Sequence, residues 1–124
     1  MRIFKTSWFT RFTARENITD DALKEAIGQL GAGLFDADLG GGVYKQRLAR
    51  RGSGKSGGYR VLICFRQDER SFFVYGFTKS DKATVAPNEK SDLKKLAKAL
   101  FTATDAELER MLKSGQLSEI SEVQ

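Results

Sequence analysis

Apolar residues recur at helical spacing in the first third of the chain and at alternate positions in the middle, so the pattern predicts helices followed by strands. Arg2-Ile3-Phe4-Lys5 reads as a short strand. Ser7 then caps a short helix in which Trp8 and Phe12, four positions apart, share a face. Thr19 caps a second helix. Asp20 and Asp21 suit its dipole, and Ile18 with Leu23 has the spacing of a hydrophobic staple. Leu23, Ala26, Ile27 and Leu30 make its apolar stripe, and Gly31 or Gly33 ends it. The two segments predict a helical hairpin that covers a sheet.

From Leu39 the period changes. Gly40-Gly41-Gly42 breaks the chain, and three strand-like runs follow, over 43–49, 59–65 and 71–79. Residues 51–58 form a loop between the first two, and 67–70 a tight polar turn between the second and third. Such short connections predict a β-meander. A helix starting at Asn88 or Ser91 sets Leu93, Leu96, Leu100 and Phe101 against Lys90, Lys94, Lys95 and Lys98. Thr104 and Glu107 have capping-box spacing and start a further helix ending near Lys113, after which the chain frays. The expected architecture is α+β. A small antiparallel sheet, made of the N-terminal strand and the meander, carries the N-terminal hairpin, with C-terminal helices and with helices mainly on one face. One domain is expected over 1–124, its core about 1–101 and an extra helix about 104–114.

Phase along the strands decides what they display. Tyr44 and Leu48 point one way, Lys45 and Arg47 the other; Tyr59, Val61, Ile63 and Phe65 form an apolar row opposite Arg60, Leu62, Cys64 and Arg66. With that row under the helices, Lys45, Arg47 and Arg60 are expected on an open face. In the third strand Phe73, Tyr75 and Phe77 share one phase and Phe72 and Val74 the other, so either row can be core.

Composition narrows the chemistry. The 124 residues contain no histidine and one cysteine, which excludes histidine-based catalysis, most zinc sites and an internal disulfide. No apolar run approaches the ~20 residues of a membrane span, and Met1-Arg2-Ile3-Phe4-Lys5 lacks a signal-peptide core, so a cytoplasmic location is expected. The net charge of +5 is unevenly spread. Residues 43–82 hold Lys45, Arg47, Arg50, Arg51, Lys55, Arg60, Arg66, Arg70, Lys79 and Lys82 against Asp68, Glu69 and Asp81 alone. A field of that kind attracts polyanions. Gathering like charges gains folding nothing, and a phosphate ligand would supply the missing negative charge. The competing explanation is a scatter of surface charges paired with Asp36, Asp38 or the acidic turn.

Three features carry less. Ala49-Arg50-Arg51-Gly52-Ser53-Gly54-Lys55-Ser56 matches a relaxed phosphate-loop pattern, but Gly57-Gly58 and a strand follow it where such a loop opens a helix. Cys64, mid-strand, reads as a packed thiol. Asp36 and Asp38, or Asp68 and Glu69, read as solvated loop carboxylates.

The order of elements and three stretches together resemble a RelE/HigB-type toxin of a type II toxin–antitoxin system, in the HigB-like branch: Gly41-Gly42-Val43-Tyr44-Lys45-Gln46-Arg47-Leu48, then Gly57-Gly58-Tyr59-Arg60-Val61-Leu62, then Val74-Tyr75-Gly76-Phe77 running into Lys79-Ser80-Asp81-Lys82. The resemblance implies a metal-independent, cofactor-free endoribonuclease that cuts mRNA in the ribosomal A site, and a helix-turn-helix, HigA-like antitoxin as partner. By position it assigns Lys45, Arg47, Arg60 and Lys82 to catalysis, with Lys79 as a second match for the last. The surrounding Arg50, Arg51, Lys55, Arg66 and Lys79 then contact RNA. Relatives commonly add a tyrosine or histidine further along, where this chain has Thr84-Val85-Ala86-Pro87. Cleavage would run through the RNA 2′-hydroxyl, with the pKa of Lys45 depressed toward that of a usable base by its cationic neighbours, Arg60 on the phosphorane, Arg47 on the flanking phosphate and Lys82 or Lys79 protonating the leaving oxygen. Two alternatives remain: a ParE-like toxin acting on gyrase, and a non-catalytic basic binding protein.

Overall fold

Alternating strands and capped helices together require one sheet with its apolar rows under helices. A computed structural model describes residues 1–50, 54–78 and 87–120. Its elements run β1 (Arg2–Thr6), α1 (Ser7–Glu16), α2 (Asp20–Gly31), β2 (Ala37–Gly40), β3 (Val43–Arg50), β4 (Gly54–Arg66), β5 (Arg70–Thr78), α3 (Pro87–Thr102), α4 (Asp105–Ser114) and β6 (Leu117–Glu119). Six strands form one sheet in the order β2-β3-β4-β5-β1-β6.

The expected meander is present, as antiparallel pairs β3–β4 and β4–β5. Three features depart from expectation. β1 joins β5 in parallel, so the sheet is mixed. Residues 37–40 form an edge strand on β3, turned by Gly40, Gly41 and Gly42, all at positive φ. The tail does not fray at 115: β6 pairs with β1, and Ile120 N–H donates to the Ile3 carbonyl at 2.8 Å. Strands of three or four residues carry too few positions to show alternation, which is why the pattern missed them.

The helices follow their capping chemistry. The cap of α1 is Thr6, one residue earlier than expected; its Oγ1 accepts from the Phe9 N–H. Thr19 caps α2, and Thr104 with Glu107 forms the full capping box of α4. α3 begins at Pro87, a residue suited to a first helical turn.

The two faces have separate cores. Under α1 and α2 lie Phe9, Phe12, Leu23, Leu30, Tyr59, Val61, Ile63, Phe65 and Phe73. On the other face, α3 and α4 cover Phe4, Val43, Cys64 and Phe72 with Ala97, Leu100, Phe101 and Leu108. The expectation of helices mainly on one face is therefore corrected. Burying each of these large side chains contributes about 1.5–3 kcal/mol, and an uncovered second face would forfeit that for several of them.

The ambiguous phase of β5 has a physical answer. Register slips between Leu62 and Ile63, which pair with Tyr75 and Phe73, so Val74 is the extra residue of a bulge. A bulge inverts the alternation. Phe73 packs beneath α1 and α2, while Phe72 before the bulge and Phe77 after it belong to clusters on the opposite face. Both aromatic rows are core.

Candidate functional site

Asp36 lies immediately before β2, and its N–H donates to the Lys45 carbonyl at 3.0 Å. The β2–β3 hairpin thereby sets this carboxylate beside β3. Lys45 and Arg47 alternate on one face of β3, and Arg47 stands in register with Arg60 on β4. The four side chains meet. Lys45 Nζ is 3.3 Å from Asp36 Oδ2, Arg47 Nε 3.3 Å from Oδ1, and Arg60 Nε 3.7 Å from Oδ2. Three cations address one small anionic group at the same time.

Their burial is graded. The Arg60 side chain is 10% exposed and that of Arg47 is 52% exposed, so the cluster has a sunken end and a solvent end. Arg60 Nη1 is buried and has no hydrogen-bond partner among the described residues. Beside Arg60, Leu62 and Phe77 form a small apolar cluster flanked by Leu39, Tyr75 and Leu93. The face expected to be open is thus partly sealed.

Asp36 was read from sequence as a solvated loop carboxylate, and the structure corrects that. Burial by itself would raise its carboxyl, and is the largest single influence. Hydrogen bonds and charge from Lys45 and Arg47 outweigh it and hold the group below the usual carboxylate range. The negative charge that balances the cluster in the free protein is Asp36, one of the acids that the competing explanation had paired with these cations. The like-charge repulsion expected to act on Lys45 is likewise opposed by a carboxylate 3.3 Å from its Nζ. The signal available in the sequence was the Asp36-Ala37-Asp38 segment preceding a glycine turn, a hairpin that sets Ala37 opposite Lys45 and Asp36 next to it.

The other sequence-selected cations are dispersed. Arg66 stacks its guanidinium 4.5 Å from the Phe101 ring centroid and lies 3.9 Å from Glu69, away from Asp36. Lys82, Lys79 and Arg51 lie outside the described residues, as do the side chains of Arg50 and Lys55. Where the phosphate-loop pattern would need a helix, β4 begins at Gly54. Cys64 is fully buried, and burial pushes its thiol up to about 12, so it stays protonated and unreactive. Arg70, for which the sequence suggested no role, donates through Nη1 to the Leu100 and Ala103 carbonyls at the end of α3 and is 3.7 Å from Asp105.

The sequence profile of the RelE toxin of the RelE/RelB toxin–antitoxin system matches residues 1–120. The chain belongs to the RelE toxin family. No curated protein matches its sequence. The match spans the helical hairpin, the whole sheet and α4, so β6 lies within the family's extent. The toxin is accordingly one half of a toxin–antitoxin system, and a cognate antitoxin is its counterpart. None of its described helices is long and apolar enough to cross a membrane.

Proposed function

We propose that the toxin is a ribosome-dependent mRNA endonuclease whose phosphate site is the cluster of Lys45, Arg47 and Arg60. The observation that supports this reading is the convergence of all three on one carboxylate, at 3.3–3.7 Å. Side chains that reach two carboxylate oxygens together have the reach and direction to hold two phosphate oxygens.

RNA carries its own nucleophile. The 2′-hydroxyl oxygen gives up its proton to solvent water and bonds to the adjacent phosphorus, the bond to the 5′ oxygen breaks, and charge builds on the non-bridging oxygens in between. The protein must align these atoms and stabilise that charge. Arg60, whose Nε stands 3.7 Å from an Asp36 oxygen, takes a non-bridging oxygen. Arg47, at the solvent end, takes the flanking phosphate. With Asp36 at its side, Lys45 serves the developing charge rather than accepting a proton. Lys82 or Lys79 protonates the leaving oxygen. Partners in this reading are mRNA, the ribosome and a helix-turn-helix antitoxin that blocks the same surface.

The test is induced expression in growing cells, with labelled precursors showing which synthesis stops first, followed by mapping of mRNA ends in purified translating ribosomes. Protein synthesis stopping first, with cuts in the A site, is expected. Arrest of DNA replication with translation intact would replace this reading by gyrase inhibition. Binding lost at high salt, with no cleavage product, would replace it by a purely binding role.

A further inference from the structure

Asp36 presents a puzzle for a site that is to hold RNA. A binding surface built for affinity alone would leave its three cations free, yet this one spends them on an internal acid. The acid is well placed to do so: its side chain is 17% exposed, and its oxygens stand within 3.3–3.7 Å of all three cations. It is not the whole answer to the cluster's needs, since Arg60 Nη1, on a side chain nine-tenths buried, has no partner among the described residues. The described cluster therefore carries three positive charges and one negative, a surplus of two, with an unused donor at its sunken end.

We propose that Asp36 is a built-in counter-ion that competes with an RNA phosphate for the three cations and so limits how tightly the cluster holds a phosphodiester. This rests on the endonuclease reading above. A phosphodiester in RNA is a monoanion and addresses the same cations as the Asp36 carboxylate, so it gains only what the cluster offers beyond its internal partner. Without Asp36 the three cations would hold the phosphate more firmly. Asp36 is thus a positioning and charge-setting residue. It acts through Lys45, Arg47 and Arg60.

The experiment compares wild type with Asp36→Asn, which keeps size and one acceptor oxygen but removes the charge. Binding is measured with a 2′-O-methyl RNA oligonucleotide, which has the phosphate and lacks the nucleophile; cleavage is measured on programmed ribosomes under single-turnover conditions. The variant is expected to bind about tenfold tighter, with a salt dependence steeper by about 0.7 in log–log slope for the one released cation. The half-saturating concentration for cleavage is expected to fall with it. A folded variant that binds equally or more weakly overturns the proposal, because a merely structural Asp36 would weaken binding and thermal stability together. Tighter binding with an unchanged half-saturating concentration for cleavage also overturns it.

Should Asp36→Asn fail to fold, Asp36→Ser is the second variant. The unmodified toxin provides an independent measurement: the Asp36 carboxylate carbon resonance shifts on saturation with the same oligonucleotide, and its invariance overturns the proposal. A wild type that binds this RNA but never cuts mRNA on the ribosome overturns the endonuclease reading instead, and binding by the Asp36 variants then decides the counter-ion role alone.

Discussion

Arg47 and Arg60 face each other in register across β3 and β4, two like charges on neighbouring strands, with the Asp36 carboxylate 3.3 Å from the first and 3.7 Å from the second. Like charges directly opposite in a sheet destabilise it, so the acid is what makes the pairing tolerable. Arg47 is the more exposed partner, and exposed ion pairs contribute little. Arg47→Gln is therefore expected to alter unfolding free energy by no more than about 0.5 kcal/mol while weakening RNA binding several-fold. Chemical denaturation beside an RNA titration checks it; equal losses in both would make Arg47 structural.

Gly76 sits under α1. A Cβ on it would stand 2.5 Å from Phe12 Cε2. Phe12 is pinned in turn by Trp8, stacked at 5.4 Å between centroids, and by Tyr59, edge-on at 5.5 Å. The ring has no easy escape, so Gly76→Ala is expected to cost about 1–3 kcal/mol by overpacking. The urea midpoint falls, with the slope unchanged.

Arg70 satisfies two carbonyls at the end of α3, where a cation also suits the helix dipole. Arg70→Met keeps the stem and removes the donors. It is expected to destabilise the fold by on the order of 2 kcal/mol, through charged hydrogen bonds to carbonyls left without them. The nearby Asp105 is 88% exposed and adds little, so Asp105→Asn should leave the melting temperature almost where it is.

Local alternation and capping made the meander, the hairpin helices and the capping box of α4 legible before any coordinates. The row Tyr59, Val61, Ile63, Phe65 announced its face because nothing interrupts it. β5 did not, because the bulge at Val74 inverts its phase part-way, and a bulge is set by register with β4 rather than by the strand's own residues. The three cations were legible as sharing one face, from the phase of Lys45 and Arg47 and of Arg60 on the neighbouring strand. Asp36 was legible only as one of several acids that could pair with them; that it meets all three depends on a four-residue edge strand that brings it against Lys45, nine positions on, and Arg60, on the next strand. Arg70 was illegible for the same reason: its carbonyl partners lie 30 and 33 residues away.

Acid should find the carboxylates that the fold holds ionised. Glu119 is kept below the usual range chiefly by its hydrogen bond from Arg2, against burial and with help from the charge. Asp36 is kept low by Lys45 and Arg47 in spite of burial. A carboxyl depressed in the folded state stabilises it at pH values above the unfolded pKa, about 4, and that contribution disappears as pH falls through the folded value. Thermal stability is expected to fall steadily from pH 5 downward. Asp36→Asn should show a smaller difference between pH 7 and pH 3 than wild type; an identical difference would mean that Asp36 is not held low by its cations.

The central claim is that the convergent cations bind and activate one RNA phosphate, and Arg60 is its deepest member. The most direct measurement is the single-turnover rate of A-site mRNA cleavage by Arg60→Gln against wild type, both confirmed folded. The account predicts that wild type cuts and that the variant is slower by on the order of a hundredfold, as for the loss of one transition-state donor. Cutting by the variant at the wild-type rate, or no cutting by either protein, would contradict it.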